Sequence, residues 1–184
     1  MKQEKTRLEV PMETLSPVMT ACLERGQDVA LGITGNSMSP FLRDRRDTVV
    51  LRRTEPESLM PGDVPFYQRA NGHMVLHRII EKDDGEHRWL YGKKEPLPSE
   101  HPGEGITYTM MGDAQLVPEP GIRPQQIVAV AVAFIRRGKR WDCAGRRYRF
   151  NRLLWHKVRR RRYRLMWLID LPGRAWRHLP FGKK

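Results

Sequence analysis

Three observations predict a mainly β fold, a small antiparallel barrel or sandwich with an N-terminal helix and a basic C-terminal helix. Short runs of alternating apolar residues recur between positions 29 and 134, the period-two pattern of half-buried strands. Asn71-Gly72 and Asp84-Gly85 separate such runs, and both dipeptides favour tight hairpin turns, whose central residues need positive φ. After position 135 the alternation stops and arginine-rich sequence takes over. At 184 residues, 39% apolar and 8% aromatic, the chain can bury one core of ordinary size.

The first element is a helix. Leu15, Val18, Met19, Cys22 and Leu23 have the i, i+3, i+4, i+7, i+8 spacing of an apolar helical stripe. Pro17 suits its first turn and Arg25-Gly26 a stop. Val29, Leu31 and Ile33 then alternate as a strand, and further strands are expected over 48–52, 64–67, 74–80, 87–91, 107–111 and 127–134. Pro65 lacks an N–H for the ladder, which places its strand at a sheet edge or a bulge. Residues 93–105 read as a surface loop and 117–124 as a Pro-rich connection. The expected division is a helical segment over 1–28, a β domain over 29–135 and a basic tail over 136–184. Within the tail, 136–149 is a linker and 151–169 a helix.

Charge supports that division. The net charge of +13 hides a split: residues 136–184 carry 18 Lys/Arg against two acids, and the rest is close to neutral. The basicity therefore belongs to the tail. The N-terminal residues contain no apolar core of a secretory signal. The longest nearly apolar run, residues 127–135, falls well short of the ~20 residues that cross a bilayer. A cytoplasmic protein, peripheral to the membrane at most, is the expectation. Cys22 and Cys143 form neither a disulfide framework nor a metal-ligand pattern, and no cofactor is expected.

Chemistry is concentrated in three islands: Gly35-Asn36-Ser37-Met38-Ser39-Pro40; Gly62-Asp63-Val64 leading to His77-Arg78-Ile79-Ile80; and Gly112-Asp113. A serine hydroxyl becomes nucleophilic only when a positioned base takes its proton. Ser37 lies in a Gly-containing turn after an alternating strand, where its Oγ is accessible and backbone N–H groups can face a developing oxyanion. His77 has the side chain whose ordinary pKa suits a base near neutrality. Asp113 could hold the other imidazole nitrogen. Each island also has a plainer explanation, as a turn serine, a structural histidine and a Gly-Asp turn.

Together they resemble a known family. Gly35-x-Ser37-Met38-x-Pro40 resembles the nucleophile box of the signal peptidase I/LexA superfamily of serine peptidases. Asp47-Thr48-Val49-Val50, Pro61-Gly62-Asp63-Val64, His77-Arg78-Ile79-Ile80 and Gly112-Asp113 follow in that family's order, across residues 29–135. The resemblance implies a small, mostly antiparallel β-barrel with Ser37 as nucleophile and His77 as general base. His before Arg is similar to the endoplasmic-reticulum and SipW-like branch, where other branches use Lys. It also implies Asp113 as a third member, although Ala114-Gln115 replace the polar pair that usually follows. Asn36 and Met38 would contact the oxyanion or substrate, with Gly35 standing where many relatives carry a small hydroxyl residue. The substrate would be a peptide or protein with small residues before the cleaved bond. Typical members of that family are held by a membrane-spanning helix, and no such anchor is expected here.

Leu154, Val158, Leu165, Met166, Leu168 and Ile169 fall on one arc of a helical wheel, and Arg159 and Arg160 on another. With Trp155 and Trp167 this pattern fits an interfacial helix on an anionic membrane, through residues 151–178. Packing on the barrel and nucleic-acid binding are the alternatives. A catalytically inactive barrel that uses this tail as a membrane, nucleic-acid or protein adaptor is the competing function.

Overall fold

The structure, a computed structural model, describes residues 12–146, 148 and 150. The chain divides into two compact units, one through Cys143 and one from Ala144. Trp155, Arg159, Arg160, Trp167 and the whole expected basic helix lie outside the described residues. The first unit is mainly β.

Helix α1, Met12–Glu24, opens the described chain. Met19 and Leu23 are buried as the stripe predicts, but Val18 is well exposed, so the apolar face is narrower than expected. Gly26, at φ 74°, ends the helix with its N–H on the Leu23 carbonyl at 3.0 Å. The positive φ that glycine adopts at little cost allows this stop.

Two antiparallel sheets follow. The first orders β1 (Val29–Gly32), β2 (Thr48–Arg52), β10 (Ile127–Arg136), β3 (Pro65–Gln68) and β4 (Met74–Leu76), with β11 (Lys139–Asp142) also on β10. The second orders β7 (Leu97–Pro98), β6 (His87–Leu90), β5 (Arg78–Asp83), β8 (Thr107–Met111) and β9 (Glu119–Ile122). Tyr67 and Ile127 from the first sheet meet Ile79, Tyr108, Met110 and Ile122 from the second in one core cluster. β10 presents Ala129, Ala131 and Ala133 inward, small side chains that suit close approach.

Several expectations change. The run 74–80 is two strands in different sheets: β4 pairs with β3 and β5 with β6 and β8. His77 is the residue at the switch. Pro65 does not mark an edge, since β3 lies between β10 and β4. Pro65 is the first residue of β3, opposite Val130, a position where proline is tolerated, and the register shift in β10 lies farther along, between Ile127 and Ala129. The Pro-rich stretch 117–124 contains β9, and the 93–105 loop contains β7. The expected linker over 136–149 begins with the end of β10 and all of β11, because Arg137-Gly138, both at positive φ, turn the chain back as a hairpin.

Candidate active site

The candidate nucleophile segment runs from Gly35 to Leu42 between β1 and β2. Gly35, at φ 81°, donates its N–H to Asp44 Oδ1 at 2.9 Å. The Ser39 N–H reaches the Asn36 carbonyl at 3.0 Å, and the Leu42 N–H reaches the Met38 carbonyl at 2.8 Å. Met38, Phe41 and Leu42 are buried and anchor the segment from below. Met38's side chain is thus an anchor, buried at 3% exposure. Asn36 is exposed and Ser37 half-buried.

The candidate base strand approaches from the sheet switch. His77 is 1% exposed, and its Nδ1 lies 3.3 Å from Tyr67 Oη and 3.4 Å from Glu119 Oε1. Tyr67 has a single O–H, donated to Glu119 Oε2 at 2.7 Å. An ionised carboxylate only accepts. The proton between these groups and the imidazole therefore belongs on Nδ1, which leaves the Nε2 lone pair to take a proton. This tautomer follows from the hydrogen-bond network.

Glu119 is held in turn by Arg69, whose Nε donates to Oε2 at 2.9 Å and whose Nη2 donates to Oε1. Burial would raise the Glu119 pKa, but hydrogen bonds from Arg69 and Tyr67 outweigh it and hold the carboxyl below its ordinary range. His77 is pushed down to about 4, first by burial and also by Arg69, with Glu119 and Asp113 opposing. It is neutral at physiological pH and able to accept. Burial and the Glu119 charge push the Tyr67 hydroxyl up, so it stays protonated as the donor.

Asp113 is placed differently from the expectation. Both of its carboxylate oxygens accept from the buried Arg78, Oδ1 from Nε at 2.9 Å and Oδ2 from Nη2 at 2.8 Å. The carboxylate that faces the imidazole nitrogen is Glu119. Asp113 instead joins the islands. Arg78 follows His77 and also donates through Nη1 to the Gly62 carbonyl at 3.0 Å. Ala114, next to Asp113, donates its N–H to the Ser37 carbonyl at 2.8 Å. A Cβ on Gly112 would lie 2.6 Å from that same carbonyl, closer than real contacts allow. The nucleophile segment, the Gly62 turn, the base strand and the Gly112-Asp113 turn therefore converge. Among the described residues no hydrogen bond joins Ser37 to His77.

Tyr67, Arg69 and Glu119 were not marked in the sequence. Tyr67 and Arg69 share a strand face by period two, but Glu119 lies in a Val-Pro-Glu-Pro-Gly context that reads as a connection. Only the pairing of β9 with β8, Met110 opposite Glu119, carries it to His77. Among the described residues no group of His, Cys, Asp or Glu is arranged to hold a metal ion, and no helix is long and apolar enough to cross a membrane. No protein-family model and no curated protein matches the chain.

Proposed function

We propose that the chain is a serine endopeptidase of signal-peptidase type with a barrel like that of the signal peptidase I/LexA superfamily. Ser37 is the nucleophile, His77 the general base and Glu119 the group that orients His77. The observation that carries this is the placement of His77 Nδ1, 3.3 Å from Tyr67 Oη and 3.4 Å from Glu119 Oε1, which assigns its proton there and leaves Nε2 the lone pair. Ser37 Oγ attacks a peptide carbonyl carbon as its proton passes to Nε2. Backbone N–H groups of the nucleophile segment, with Asn36, face the oxyanion. The imidazolium, stabilised by Glu119, then protonates the leaving amine. Water hydrolyses the acyl-enzyme by the same route. Asp113 positions the nucleophile segment against the base strand through Arg78 and Ala114. The substrate is a peptide or protein with small residues before the cleaved bond, and the basic tail brings the enzyme to an anionic membrane surface.

The missing Ser37–His77 hydrogen bond favours a second reading, an inactive barrel serving as an adaptor. Such bonds are often long without substrate, so the assay decides. With a panel of Ala-x-Ala peptides, wild type cleaves, and Ser37→Ala and His77→Ala each lose about 10⁴-fold or more in kcat. Activity that survives both substitutions removes this mechanism, and an inert wild type supports the adaptor.

A further inference from the structure

The expected membrane contact rested on the tail alone. The described barrel carries a cationic face of its own. β10 and β2 are antiparallel with Ile135 opposite Thr48, so the β10–β11 turn lies beside the turn 43–47 that feeds β2. These two turns carry Arg43, Arg45, Arg46, Arg136, Arg137, Lys139 and Arg140 against Asp44, Asp47 and Asp142, the last accepting from Arg140 Nε at 2.7 Å, so the cations stay in excess. Asp44 pairs with Arg45 at 3.8 Å and Asp47 with Arg46 at 2.6 Å, so Arg43, Arg136, Arg137 and Lys139 carry the excess. Asp44 accepts from the Gly35 N–H at 2.9 Å. Asp47 is buried and accepts from the Arg43 N–H at 3.0 Å and from Arg46 Nε at 2.8 Å.

The guanidiniums are held where they are. Arg136 lies 4.7 Å from the centroid of Phe41 and 5.1 Å from that of Trp141. Its Nε is buried and has no hydrogen-bond partner. The positive charges of Arg46, Arg137 and Arg43 act on it against a single Asp47. Arg45 and Arg137, at φ 54° and 50°, are the only non-glycine residues at positive φ among those described. Such a conformation is uncommon for non-glycine residues, and here it sets an arginine at the tip of each turn. Arg43 and Arg137 are exposed.

This face borders the nucleophile segment, because Phe41 and Gly35 belong to that segment. On the segment's Gly112–Ala114 contact, the chain continues into Leu116 and Val117, which are 52% and 75% exposed. Cations together with exposed aliphatic side chains fit a bilayer, with headgroup phosphates for the arginines and acyl chains for the aliphatics. Single-stranded nucleic acid calls instead for open aromatic rings to stack on, and the rings at these turns, Phe41 and Trp141, lie against Arg136.

We propose that the two arginine turns, Arg43–Arg46 and Arg136–Arg140, dock the barrel itself on an anionic phospholipid surface and bring Ser37 to the headgroup region. The proposal is tested by binding and is independent of whether the chain cleaves peptides. Full-length protein is sedimented with vesicles of phosphatidylcholine alone and of equal parts phosphatidylcholine and phosphatidylglycerol. Arg43→Gln/Arg137→Gln weakens binding to the anionic vesicles by about 25-fold, at about fivefold per arginine removed. Arg43→Lys/Arg137→Lys retains binding. Arg25→Gln/Arg53→Gln removes the same net charge near the other end of β2 and leaves binding close to wild type. Equal losses in the two neutralised pairs, or no loss in the first, overturn the proposal. So does a first pair that keeps vesicle binding but loses affinity for a single-stranded oligonucleotide.

Discussion

At the scale of single residues, His77 combines two opposing demands. Burial holds its pKa near 4, which keeps it unprotonated, while the proposed mechanism asks Glu119 to stabilise an imidazolium. Arg69 moderates that help by neutralising Glu119. Glu119→Gln is therefore expected to lower kcat by about 10²–10⁴-fold with little change in KM. The acid limb of kcat/KM for wild type falls near pH 4, not at the 6.5 of an unperturbed histidine. Arg69→Gln removes a positive charge from the vicinity, so that limb moves upward. A pH–rate profile with the acid limb unmoved in Arg69→Gln would show that the Arg69–Glu119 pair does not tune the base. Glu119 was illegible because its role depends on a strand pairing, and its Pro-flanked context conceals the strand.

At the scale of elements, the Gly112–Ala114 turn ties two otherwise separate segments. Its Ala114 N–H reaches the Ser37 carbonyl, and its Asp113 reaches Arg78 beside His77. Gly112 has no room for a side chain, since a Cβ would press on the Ser37 carbonyl and on Gln115. Gly112→Ala is expected to displace the nucleophile segment, cutting kcat by at least about tenfold and stability by about 1–3 kcal/mol. Chemical denaturation and the peptide assay check both; unchanged kcat would mean that the turn does not position Ser37. Asp113 shows the limit of reading an element from its motif. The Gly-Asp island was visible, yet the buried guanidinium of the neighbouring Arg78 takes both of its oxygens. A linear motif does not encode which of two adjacent basic side chains turns toward an acid.

At the scale of the whole molecule, the buried charges couple stability to pH. In the unfolded chain His77 takes a proton as pH falls below about 6.5, whereas in the folded chain it does so only near 4. The unfolded state binds more protons across that window, so stability is lost on acidification. The loss from His77 alone is of order 2 kcal/mol by about pH 5 and about 3 kcal/mol below pH 4. Glu119, held below its ordinary range, adds loss in the same direction as pH falls through its folded value. Urea denaturation at about pH 7 and about pH 5 measures the slope, and His77→Gln flattens it. A slope unchanged by that substitution would exclude His77 as its source.

The sequence by itself determined the alternation of strands, the hairpins at Asn71-Gly72 and Asp84-Gly85, the N-terminal helix, the charge split and the serine and histidine islands. These are local properties, set by side-chain periodicity and by backbone conformations that few residues tolerate. Tertiary structure alone decided that the run 74–80 breaks at His77 into two sheets, that 117–124 supplies β9 and the hairpin Arg137-Gly138 supplies β11, and that Glu119 rather than Asp113 faces the imidazole. Those outcomes depend on which strands pair and on which buried charges must be neutralised by a partner distant in the chain, and no local pattern records either.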